Sequence, residues 1–176
     1  MRPRTFTILG LAIGLLTLAS AVGAQPPEFK LYASTEGRYK VQFPGAVKTE
    51  TVPIMSDKAE LKLTIDLVEL RGGTSFLVTF IDASDEVAKK PAAGRLDKVR
   101  DGNKGTDGKI VGDKDVVVGI EKYPGRDVLI EKPDNYLRNR IVIAGNRLYQ
   151  VMVQGPKDVV TSPSADRFFD SFEITK

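Results

Sequence analysis

Histidine and cysteine are both missing from the sequence, and this bounds the chemistry more tightly than any residue present. Without imidazole there is no Ser-His-Asp triad, no ordinary general base near neutral pH and no imidazole ligand for a metal. Without thiols there is no cysteine nucleophile, no thiolate metal site and no disulfide framework. Carboxylate, lysine and tyrosine chemistry stay open. Asp66, Glu69, Asp82, Glu131 and Asp134 fall at strand positions or strand ends, but their spacing selects no pair for two-acid glycoside hydrolysis. They read as solvent-facing strand residues.

Three near-motifs fail on inspection. Asp101, Asn103 and Asp107 alternate like the oxygen ligands of a calcium loop, yet Gly105 stands where a third side-chain oxygen belongs, Thr106 replaces the turn glycine and no glutamate closes the set. Gly73-Thr74-Ser75-Phe76-Leu77 lacks the closing glycine of a nucleophile elbow and reads as a hairpin turn. Gly102 to Ile110 holds a Gly-Lys pair, but its glycine spacing is wrong for a phosphate loop and Ile110 replaces the required Ser or Thr. No catalytic residue, cofactor or metal site is assigned. The candidate ligand-site residues are Arg126, Arg138, Arg140 and Arg147, on what read as neighbouring strands. Their guanidinium groups could clamp an anion, or pair with nearby carboxylates. Phe168, Phe169 and Phe172 read as core, with a docking patch as the alternative. The absence of Trp counts against a sugar-stacking surface.

The elements that must position these residues show in the hydrophobic pattern. Tyr39, Val41 and Phe43 share one side of a strand that ends at Pro44-Gly45. Leu61, Leu63, Ile65 and Leu67 alternate with Lys62, Thr64 and Asp66, and after Arg71-Gly72-Gly73 the alternation returns with Phe76, Val78 and Phe80. This predicts an antiparallel hairpin. Ser84 is a helix cap before Asp85 and Glu86, opening a helix interrupted by Pro91 that runs to Arg100 with Val87, Leu96 and Val99 on a loose stripe. Asp101 to Gly108 reads as an exposed loop. Strand signals resume at Lys109–Val111, Val116–Val118, Arg126–Glu131, Leu137–Ala144 and Leu148–Gln154. Gly145-Asn146 fits a two-residue hairpin turn, which would set Val142 opposite Tyr149 and Arg140 opposite Val151. A short helix capped by Ser162 or Ser164 then presents Ala165, Phe168, Phe169 and Phe172 to the sheet. The order predicts an α+β domain, a mainly antiparallel sheet with helices packed on it.

The N-terminus carries a different signal. Arg2 and Arg4, an apolar run from Phe6 to Leu18, and Val22-Gly23-Ala24 before Gln25 have the layout of a secretory signal peptide spanning residues 1–24. Residues 25–28 form a spacer and residues 29–176 one globular domain. An uncleaved anchor is the alternative, since the charge-free stretch before Glu28 approaches the roughly 20 residues a bilayer needs. Against it, Gly10, Gly14, Thr17, Ser20 and Gly23 dilute a short apolar core. Arg2 and Arg4 are the leader's only charges, so cleavage lowers the net charge from +3 to +1. A nearly neutral chain with interleaved charges excludes a nucleic-acid footprint.

The leader, the strand and turn Gly37-Arg38-Tyr39-Lys40-Val41-Gln42-Phe43-Pro44-Gly45, the hairpin Gly145-Asn146-Arg147-Leu148-Tyr149 and the segment Phe168-Phe169-Asp170-Ser171-Phe172 together resemble the PsbP-like family. The resemblance implies an α/β/α sandwich and a non-enzymatic accessory or binding role. With the leader and the missing catalytic residue types, it leads to the expectation of an envelope protein or a small ligand as partner, with contact to a membrane only if the leader is retained. Small-anion or lipid binding is the next reading, and a carboxylate-dependent hydrolase the third. N-terminal sequencing of the mature protein from the envelope should begin at Gln25; a start elsewhere overturns the cleavage expectation.

Overall fold

Successive residues of a strand face opposite sides, so alternating apolar residues gather on one face. In Thr74–Asp82 (β5) that face is Phe76, Val78 and Phe80, all buried. The computed structural model describes residues 28–56 and 59–176; the proposed leader 1–24, its cleavage point and residues 25–27 lie outside the described residues. β5 is an interior strand of a seven-stranded antiparallel sheet. From one edge to the other its strands are β3 (Lys48–Ser56), β4 (Ala59–Leu70), β5, β9 (Arg147–Gly155), β8 (Tyr136–Ala144), β7 (Tyr123–Glu131) and β6 (Lys109–Val118). A smaller antiparallel sheet joins β1 (Lys30–Ser34), β2 (Tyr39–Phe43) and β10 (Glu173–Ile174).

The predicted hairpins form. β4 pairs with β5 across Arg71-Gly72-Gly73, and β8 pairs with β9 across Gly145-Asn146, with Val142 opposite Tyr149 and Arg140 opposite Val151. Gly145 takes φ 64°, the left-handed turn conformation that the tight connection requires. The signals at Lys109–Val111 and Val116–Val118 belong to one strand, β6, whose register shifts between Ile110 and Gly112. β1, β3 and β10 carry too weak a pattern to stand out: β10 has two residues, and Pro53 interrupts β3.

Four helices lie among the described residues: α1 (Asp85–Ala88), α2 (Ala92–Lys104), α3 (Lys157–Val160) and α4 (Pro163–Asp170). Ser84 caps α1 by accepting from the Val87 amide, and Pro91 separates α1 from α2 as expected. α2 continues to Lys104, four residues into the segment read as loop. Burial of Leu96 and a 2.7 Å hydrogen bond from Asn103 to Gln150 hold its later turns to the sheet, overriding the poor helix propensity of Gly102 and Asn103. Ser162 caps α4 by accepting from the Ala165 amide.

The large sheet is covered on both faces. On one, β1, β2 and α4 enclose an aromatic core in which the Phe168 ring lies 5.1 Å from Phe43 and 5.3 Å from Phe76. On the other, α2 lays Leu96 over Val128, Ile130, Ile141 and Ile143. Phe168, Phe169 and Phe172 are core residues.

β4 departs from its expected polarity. Thr64, Asp66 and Val68 point into the aromatic core, while Leu61, Leu63, Ile65 and Leu67 are half-buried on the opposite face. Asp66 is therefore no solvent-facing residue; it is completely buried. Its carboxyl group accepts from the Tyr32 hydroxyl of β1 at 2.9 Å, from the Tyr39 hydroxyl of β2 and from the Thr49 hydroxyl of β3. Burial, and then the hydrogen bond to Asp66, push the Tyr39 hydroxyl far above the usual tyrosine range. Asp66→Ala leaves the buried Tyr39 hydroxyl without its acceptor and should cost about 3 kcal/mol by urea unfolding, with Asp66→Asn recovering part of it. A loss below about 0.5 kcal/mol would show that the network does not hold the sheets together.

Candidate functional site

The four arginines singled out by sequence do not share one site. Register places Arg138, Arg140 and Arg147 on the aromatic-core face of the large sheet and Arg126 on the α2 face. Each has a carboxylate partner. Arg126 binds Asp97 on α2 and lies 3.1 Å from Asp115. Arg138 donates to Asp166 at 2.7 Å, its guanidinium 4.4 Å above the Phe169 ring. Arg140 makes a two-point contact with Asp127 at 2.7 and 2.9 Å and donates to the Phe169 carbonyl at 2.9 Å. These three tie β7, β8 and the helices together.

Arg147 stands apart, at the end of β9, on the wall of an open cleft of about 240 Å³. Its Nε and Nη2 both donate to Asp82 at 2.7 Å, its Nη1 donates to the Glu36 carbonyl at 2.6 Å, and its guanidinium lies 4.9 Å over the Phe80 ring. Asp82 and Arg147 are register partners at the ends of β5 and β9, so the hairpin turns deliver them to one place. Arg38 and Lys176 line the same cleft, with Asn146 and Tyr123. The β1–β2 turn presents Arg38. Its Gly37 is obligatory, since a Cβ there would fall 2.6 Å from the Tyr39 ring, and the Gly37 carbonyl accepts from the Tyr149 hydroxyl at 2.8 Å.

Arg38 adopts φ 50°, uncommon for a side-chain-bearing residue, and its carbonyl accepts from the Thr175 amide at 2.8 Å. Among the described residues its guanidinium makes no ion pair and no side-chain hydrogen bond. Lys176 is almost fully exposed, with Glu121 3.8 Å away. The cleft thus gathers three cations around one lining carboxylate, Asp82, already engaged by Arg147. This arrangement can bind an anionic group. Sequence reading found Arg147 but not Arg38 or Lys176, which lie far apart in the chain; only the turn glycine before Arg38 hinted at a special backbone.

The other candidates are committed elsewhere. Glu69 is exposed beside Lys48, Glu131 accepts from the Tyr136 hydroxyl at 2.8 Å, and Asp134 is exposed in the β7–β8 turn. In the segment resembling a calcium loop, Asp101 pairs with Arg100 at 2.9 Å, Asn103 with Gln150 and Asp107 with Lys132 at 3.4 Å. The hydrogen bonds from Arg147 hold the Asp82 carboxyl below the usual carboxylate range. A depressed folded pKa stabilises above the unfolded value of about 3.9 and loses its contribution as pH falls through the folded value. The stability difference between wild type and Asp82→Asn should therefore be present at neutral pH and shrink in urea melts below about pH 4. Solvent around a side chain that is 50% exposed keeps it near or below about 1 kcal/mol. A difference unchanged down to about pH 2 contradicts the linkage.

No family model and no curated protein matches the chain. Its structure is similar to the solution structure of cyanobacterial PsbP (CyanoP) from Synechocystis sp. PCC 6803. That match has a TM-score of 0.54 and 14% identity, covering 92% of this chain and 99% of that one. At that identity the likeness concerns the fold and not the function. The layers described above, a mainly antiparallel sheet with helices packed on it, are those of a PsbP-like fold.

Proposed function

We propose that the protein is a non-catalytic exported domain that serves as an accessory or binding module of the bacterial cell envelope. It engages an acidic segment of an envelope protein at the Arg38–Arg147–Lys176 cleft. The observation that carries this reading is Arg38: a cation without a carboxylate partner among the described residues, held on a left-handed turn beside two further cations. Arg147 needs no reorganisation to receive a ligand, because Asp82 and the Glu36 carbonyl already hold its plane.

The leader 1–24 supports export, and among the described residues no helix is long and apolar enough to cross a membrane. The ion pairing supports a binding role over hydrolysis. Asp82, the carboxylate that lines the cleft, is held in a two-point contact by Arg147, which keeps it below the usual carboxylate range. A general acid needs the opposite setting, one that raises its pKa.

Wild-type protein used as bait on envelope extracts should retain a partner whose capture weakens as salt is raised, the mark of exposed charge pairing. Arg38→Glu with Lys176→Glu, both at the surface, should reduce that capture by about tenfold or more. Recovery of no partner, or capture indifferent to charge reversal, overturns the reading.

A further inference from the structure

Leu61 of β4, Ile81 of β5 and Leu148 of β9 are brought side by side on the face of the large sheet opposite the aromatic core. Val87 of α1 and Val99 of α2 stand over them, and together they line a groove of about 220 Å³. Among the described residues Ser84 is the one hydroxyl on its wall, and that oxygen is occupied in capping α1. Register extends the apolar floor beyond the groove: Leu63 and Ile65 follow Leu61 on the same side of β4, and Val52 and Ile54 lie opposite Leu63 and Leu61 on the edge strand β3. Val52 and Ile54 are 41% and 37% exposed. An aliphatic strip of this kind, running out of a groove onto the part of the sheet face that α2 leaves open, marks a ligand or partner site.

The charged side chains that line the groove are both cations. Arg95 and Lys98 line the groove from α2, three residues apart and so on one helix face. Among the described residues no carboxylate lines it. Lys98 is exposed and makes no ion pair among the described residues, and Arg95 makes one long hydrogen bond, 3.3 Å, to the Gly145 carbonyl. One wall is lightly held: α1 is four residues long, buries none of them and is cut off from α2 by Pro91. An apolar trough with two cations at its lip and a yielding wall complements a chain of methylenes ending in an anion.

From this complementarity we infer that the α1–α2 groove binds the acyl chain of an anionic amphiphile, a fatty acid or an acidic lipid, with its head group held by Arg95 and Lys98. Each methylene taken from water favours binding, so the chain supplies affinity and the cations set orientation. This site lies on the other side of the large sheet from the Arg38 cleft and does not depend on it.

Dodecanoate, added below its micelle concentration to the isotopically labelled full chain, tests the inference by two-dimensional NMR. Saturable shifts should appear at Leu61, Ile81, Val87, Val99 and Leu148, while Gly119–Tyr123 stay in place. Arg95→Glu with Lys98→Glu should weaken dodecanoate by about tenfold or more and spare dodecanol, provided the variant melts as the wild type does. Flotation with phosphatidylglycerol and phosphatidylcholine vesicles separates the two sources. Association with the former alone points to an acidic lipid, and no flotation with dodecanoate still bound points to a free fatty acid. Absence of saturable shifts, shifts confined to other surfaces, or dodecanoate affinity unchanged by charge reversal overturns the proposal.

Discussion

Asp66 draws three hydroxyls onto one buried carboxyl group, from Tyr32 on β1, Tyr39 on β2 and Thr49 on β3, and Asp66 itself belongs to β4. The contact therefore joins the small sheet to the large one at a single point inside the aromatic core. Among the described residues no lysine or arginine lies within ion-pair distance of it, so the hydroxyls carry the compensation that burial of a polar group demands. These bonds tie β1 and β2 to β4 of the large sheet. The aromatic rings then pack around that arrangement. Tyr39 lies 6.3 Å from Phe80, 6.2 Å from Tyr149 and 5.5 Å from Phe172.

The same arrangement places the β1–β2 turn over the end of β9. Tyr149 donates to Gly37, Arg147 donates to Glu36, and Arg38 is left projecting where the C-terminal strand β10 arrives beside it. The cationic cleft is a consequence of how the two sheets meet, since its three cations come from residues 38, 147 and 176. Arg126, Arg138 and Arg140 have the opposite fate. Each is neutralised by a carboxylate on a neighbouring strand or helix, and Arg138 and Arg140 also stack against Phe169. Pairing of this kind fixes each guanidinium away from the cleft, whereas Arg147, held by Asp82 in a similar two-point contact, still lines it.

The two faces of the large sheet are covered unequally, and this gives the groove its character. On the core side, rings interdigitate between two sheets and α4. On the other side α2 covers β7 and β8, and the edge of the sheet at β3 and β4 stays partly open with its leucines and isoleucines half-exposed. Pro91 is responsible in part. It prevents α1 and α2 from forming one straight helix, so the short α1 bends over Ile81 and Leu148 without burying a residue of its own.

Local sequence determined the strands with clear alternation, the turns at Gly72-Gly73 and Gly145-Asn146, the register across the second turn and the capping of two helices, because those features depend on neighbours within a few residues. The absence of histidine and cysteine likewise removed whole classes of chemistry before any fold was considered. Three things required the tertiary structure. The polarity of β4 was illegible, because Asp66 looks solvent-facing until hydroxyls from β1 and β2 join that of Thr49 on the neighbouring β3 around it. The fate of each arginine was decided by which carboxylate lay across the ladder or on the covering helix. The cleft and the groove exist only where residues far apart in the chain converge: no local pattern encodes which unpaired cations and half-covered aliphatic side chains remain after packing has used the others.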